Sequence, residues 1–169
     1  RLIGYENRIL NKEDFNNDLK DAGELGSGHT VTALYEIVPV GVQDDLTNSV
    51  DDLRYQQTKK VKHKSDFGSE VMNIKLRYKK PDGDESKLLQ YPLADNIIAL
   101  NKTTDNFRFA AAVAGFGMLL RNSDYKGNSN FEMVQQLAKQ SLGEDTEGYR
   151  KEFLRMVADA SLLKTKKEL

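Results

Sequence analysis

Apolar residues recur with period two in the first hundred positions of this chain and with period near 3.6 after about Asn101, so strands are predicted first and helices last. The segment His29–Val38 alternates: Val31, Ala33, Tyr35 and Ile37 point one way, Thr30, Thr32, Leu34 and Glu36 the other. Pro39 and Gly41 close it. Val71–Tyr78 alternates again, with Met72, Ile74, Leu76 and Tyr78 on one face. Pro81–Asp84 supplies turn chemistry and Lys87–Leu93 returns, which predicts an antiparallel hairpin over 70–93. Leu2–Tyr5 and Leu53–Gln57 read as shorter strands, and 11–28 as a loop with one helical turn near Glu13–Leu19.

In the second half, Asn106–Arg121 (NFRFAAAVAGFGMLLR) is apolar nearly all round, which predicts a central helix covered on all sides. Thr104 or Asp105 would cap it, and the Arg121 cation suits its carboxyl end. A second helix is expected over Phe131–Leu142, with Phe131, Val134, Leu137 or Ala138, and Ser141 on one face and Gly143 as its stop. A third is expected from about Asp145 to Lys164, with Tyr149, Phe153, Met156, Val157 and Ala160 along a stripe. Strands followed by helices, without alternation, indicate an α+β fold. The expectation is an antiparallel β-sandwich-like or barrel-like unit in 1–98 and a three-helix unit in 99–169 packed on it.

With 169 residues, 38% hydrophobic and 30% charged, the chain can bury one solid core or two small ones, and no run reaches the length of a membrane span. A net charge of −1 gives no field to hold nucleic acid. The absence of cysteine excludes disulfides, thiolate metal sites and cysteine nucleophiles. The chain opens at Arg1 in a strand-like segment, so a fragment of a longer protein is expected.

Candidate chemistry is thin. Gly23, Gly26 and Gly28 precede a strand rather than a helix, the wrong context for a phosphate loop. Asp18, Asp21 and Glu24, with Asp44, Asp45, Asp51 and Asp52, lack the alternate spacing of a calcium loop. His29 and His63 have no partner at ligand spacing. Lys59, Lys60, Lys62 and Lys64 form a basic run that reads as a solvated loop, its rival reading being an anionic-surface contact. The polar residues Glu6, Arg8, Asp21, Glu24 and His29 lie near glycines and keep alive an atypical hydrolase or transferase. No catalytic, cofactor-binding or metal-ligating residue is assigned, and a specific divalent-ion site is not expected.

Four phrases, LIGYENR at Leu2–Arg8, DAGELGSGHTVTALYEIVPVG at Asp21–Gly41, IKLRYKKPDGD at Ile74–Asp84 and FRFAAAVAGFGMLLRNSDYKG at Phe107–Gly127, are distinctive. Together they resemble the carboxyl-terminal domain of bacterial YfbK-like proteins that contain a von Willebrand factor type A domain. The resemblance implies a parent with a signal or lipoprotein leader, the A domain and then this piece, at the cell envelope. Any metal would sit in the A domain, on a DxSxS signature that this chain does not contain. On this reading the chain is a non-enzymatic accessory domain, with the A domain and a further protein as partners.

Overall fold

The computed structural model of the chain describes residues 1–3, 10–20, 23–39 and 69–165. These residues fall into two units: one gathers 1–3, 25–35 and 98–165, the other 10–20, 23–24, 36–39 and 69–97. At the level of class they form a mixed α/β structure with a two-stranded antiparallel sheet and three α-helices.

The first unit holds the helices. α1 (Asp105–Leu120) starts where the Thr104 hydroxyl accepts the Phe107 N–H at 3.2 Å, satisfying an amide that has no partner inside the helix. It ends in a left-handed turn at Asn122, φ 49°, where Asn122 N–H donates to Leu119 O and Ser123 N–H to Met118 O. That pair of bonds is the Schellman closure, with asparagine in the place that glycine usually takes. α2 (Phe131–Lys139) is capped by the Asn130 side chain, which accepts the Met133 N–H at 2.9 Å. It stops three residues before the Leu142 expected from its pattern. The Ser141 hydroxyl instead turns back on the Leu137 carbonyl at 2.7 Å. α3 (Tyr149–Thr165) begins four residues later than expected, because Asp145 lies in the preceding loop at φ 38°.

The three helices meet over Ala112, Phe116, Leu119, Val134, Ala138, Phe153 and Val157. The ring of Phe116 stands edge-on to Phe153 at 5.4 Å and to Phe131 at 6.1 Å, and Phe109 meets Phe153 at 5.3 Å. Edge-to-face rings at these separations are the favoured aromatic geometry. Gly115 lets α2 approach, since a Cβ there would stand 3.2 Å from Val134 Cγ2. Two expectations need correction. α1 buries one face (Ala112, Gly115, Phe116, Leu119) and not its whole girth: Val113 remains 43% and Leu120 59% exposed. Two neighbouring helices can cover one side of a third, and α2 and α3 both lie on that side. Within the α3 stripe, Phe153 and Val157 are buried whereas Tyr149 and Met156 are exposed.

The same unit contains 25–35, where the predicted strand over His29–Val38 is not formed. Among the described residues its pairing there is a single antiparallel bridge, Leu2 to Tyr35, with Ile3 N–H donating to Leu34 O at 2.8 Å. Alternation marks a segment able to pair, but a ladder needs a partner of equal length. Arg1 packs its guanidinium 3.8 Å from the centre of the Tyr125 ring.

The second unit is built on the predicted hairpin. β1 (Glu70–Tyr78) pairs antiparallel with β2 (Lys87–Ala94), from Glu70–Ala94 to Tyr78–Lys87, with an irregularity at Val71. In the turn, Gly83 N–H donates to Lys80 O at 3.0 Å. Asp82, not Gly83, takes the left-handed conformation at φ 59°. The helical turn expected near Glu13–Leu19 is a 3-10 turn over Lys12–Asn16. The sandwich-like or barrel-like unit expected of 1–98 is not formed by the described residues, whose one ladder is this hairpin. The short strand expected at Leu53–Gln57 lies outside the described residues.

Candidate functional site

Between the first turn of α1 and the segment leading into α3, a cleft of about 550 Å³ opens within the helical unit. Its form follows from Asp145 and Arg150. The Asp145 carboxylate accepts the N–H groups of Arg150 at 2.9 Å and Lys151 at 3.0 Å, which fixes where α3 can start. The Arg150 amide bond, then that of Lys151 and the nearby Lys151 and Arg150 charges, hold the Asp145 carboxyl below the usual aspartate range. The Arg150 guanidinium donates to Ser141 O at 2.8 Å and to the Asn106 side-chain oxygen, and lies 4.8 Å from the Phe109 ring centre. One cation therefore ties the end of α2 to the start of α1. Asp105, on the opposite wall, is paired with Arg108. Asp105, Asp145 and Arg150 are engaged with the fold itself, and together they act chemically as a clasp, while Glu144 and Glu147 line the cleft as exposed side chains.

A second polar cluster stands at the turn end of the hairpin, in the other unit. Asp18 accepts the Ser86 N–H at 3.2 Å, Arg77 donates to the Ser86 hydroxyl at 2.6 Å, and Lys79 donates to the Asp18 carbonyl at 2.6 Å. The bonds from Ser86, helped by the Lys79 and Arg77 charges, hold the Asp18 carboxyl below its ordinary value. The Arg77 guanidinium lies 5.8 Å from the Phe15 ring centre. These contacts fasten the 3-10 turn to the hairpin.

A third feature is apolar. Met72, Ile74, Leu76 and Tyr78 of β1 share one face with Leu93, Tyr91 and Leu89 of β2. Six of these seven side chains are exposed, Met72 being half-buried.

Of the polar group Glu6, Arg8, Asp21, Glu24 and His29, the described members are Glu24 and His29, and both are exposed. His29 Nδ1 lies 3.2 Å from the Ser27 carbonyl oxygen, and the His29 N–H closes a turn on Gly26 O. Glu6, Arg8, Asp21, His63, the Lys59–Lys64 run and the acidic pairs at 44–45 and 51–52 lie outside the described residues. Among the described residues, no three His, Asp or Glu side chains gather as metal ligands, and no helix is long and apolar enough to cross a membrane. Sequence reasoning missed both polar clusters. Asp145 was open to discovery, standing between Gly143 and Gly148 just before a helical stripe, where a capping carboxylate belongs. The Asp18–Ser86 bond joins residues 68 apart and leaves no local signature.

Comparison with known proteins gives a consistent result. The family model described as "Uncharacterized protein YfbK, C-terminal" matches residues 1–163. The uncharacterized protein YfbK of Escherichia coli (strain K12) is similar over 157 residues at 43% identity, covering 93% of this chain and 26% of that protein. The chain thus spans about a quarter of the length of this curated relative. No solved structure matches.

Proposed function

Because the chain belongs to the family of the YfbK carboxyl-terminal domain, we propose that it is a non-enzymatic accessory domain, working by contact with the rest of a longer bacterial polypeptide and with a protein partner. The observation that carries this reading is the exposed apolar face of the 70–94 hairpin. Soluble domains rarely leave contiguous apolar patches in water unless something covers them. The charged side chains supply the complementary argument: Asp18, Arg77, Asp145 and Arg150 are all engaged in ties within the fold. The sandwich-like arrangement expected of 1–98 becomes part of the same proposal, since a second layer on the hairpin is what a sandwich requires.

On the strength of the resemblance in sequence, the partner within the polypeptide is a von Willebrand factor type A domain, and the setting is the cell envelope, reached by a lipoprotein leader. Hydrogen exchange tests the core of the reading. In the intact polypeptide, amides within 69–165 should exchange more slowly than in the 169-residue chain alone. Equal exchange throughout would remove the accessory role.

A further inference from the structure

The two faces of the 70–94 hairpin are unlike. One carries Asn73, Lys75, Arg77 and Gln90, with the Asn73 amide donating to the Gln90 side-chain oxygen at 3.2 Å. On the other, the cross-strand pairs Met72–Leu93, Ile74–Tyr91 and Leu76–Leu89 stand in succession without an ionised group among them. Ile74 is 46%, Leu76 58%, Leu89 53% and Tyr91 66% exposed. A two-stranded hairpin alone is marginal in water and gains its stability from what packs on its apolar face. A face that must be covered for the hairpin to persist calls for an occupant that is always present. Lack of charge at the centre is also the composition of permanent interfaces rather than passing ones. Chain belonging to the same polypeptide meets that requirement at any concentration, and the relative shares only 26% of its length with this domain.

We infer that, in the intact polypeptide, the Met72–Leu93, Ile74–Tyr91 and Leu76–Leu89 face is the seam against which the preceding part of the same polypeptide packs. This rests on the accessory-domain reading and names its surface and its occupant. The opposite face takes no part in this seam, and Lys75 at its middle stays in solvent.

Photo-crosslinking in the intact protein tests it, with p-benzoylphenylalanine placed at position 91 for Tyr91 in one sample and at position 75 for Lys75 in another. An aromatic replacement at 91 keeps the face apolar, so the hairpin retains its reason to pack. After irradiation and peptide mapping, position 91 should be joined, within one polypeptide, to residues that precede Arg1, and position 75 should give no such product. Products from position 91 to residues of the 169-residue chain would mean that the chain covers its own hairpin. Products joining two copies would make the face a dimer seam. Absence of any product at 91 would mean that the face is solvated. Each of these three results overturns the inference. Joining from position 75 alone would also overturn it while leaving the accessory reading intact, whereas that reading falls only if exchange across the domain is unchanged as well.

Discussion

Phe116 touches both other helices through one ring, meeting Phe131 on α2 and Phe153 on α3. Phe116→Ala removes both contacts from a site that is 6% exposed, and should cost ~3–5 kcal/mol in a urea-unfolding measurement. Its neighbour Gly115 works by having no side chain. A valine there meets Val134 in a space too short for a methyl group, so Gly115→Val should cost ~1–3 kcal/mol. Ala114→Leu is the control for both, since Ala114 is only half-buried, and its denaturant midpoint should move much less. Phe153 is buried where the helical stripe of α3 put it, whereas Tyr149 of the same stripe and Phe107 of α1, both expected to be covered, are exposed. Which face of α1 would be left open was not legible. Nearly every position of that helix is apolar, so its sequence carries little contrast between a covered side and an uncovered one.

At the scale of elements, the ends proved harder to read than the middles. Period 3.6 found all three helices, but the stop of α2 depends on the Ser141 hydroxyl bonding back to Leu137, and the start of α3 on a carboxylate four residues upstream. Such choices between competing hydrogen bonds leave little trace in hydrophobic pattern. The pairing of the 70–94 hairpin was legible, since alternation and turn chemistry agree, although the irregularity at Val71 and the left-handed Asp82 were not, whereas 29–38 alternates as well and, among the described residues, pairs at a single bridge. Local pattern states a capacity to pair; pairing itself is a property of two segments. The turn makes a measurable point of this kind. Asp82 holds φ 59°, a conformation that costs a branched residue roughly 1–2 kcal/mol. Asp82→Val should accordingly speed amide exchange across β1 and β2, whereas Asp82→Gly should leave it unchanged or slow it. The reverse order would show that the Asp82 side chain, rather than its backbone, is what the turn requires.

For the whole molecule, among the described residues each of the two units contains one aspartate whose carboxyl is held below its ordinary value of 3.8: Asp145 at the start of α3 and Asp18 beside the hairpin. A carboxyl lowered by folding contributes stability that is fully present above its unfolded pKa and is lost as the pH falls through the folded one. Both units should therefore be insensitive to pH from neutrality down to about 4 and weaken below it. The causes differ in a way that separates the units. Asp145 accepts the Arg150 and Lys151 amides at the head of α3 on its two oxygens, so Asp145→Asn keeps one oxygen acceptor for the cap while removing the titrating carboxyl. That variant should lose part of the acid sensitivity of the helices and leave that of the hairpin as it was. Asp18→Asn should do the converse, because its bonds go to Ser86 and its neighbouring charges are Lys79 and Arg77. Amide exchange resolved by segment across pH 2–6, a window spanning the ordinary aspartate range, distinguishes these outcomes. If either variant alone flattened the acid response of both segments, the 98–165 helices and the 69–97 hairpin would be unfolding as one cooperative body, and the division of the chain into two stability units would have to be abandoned.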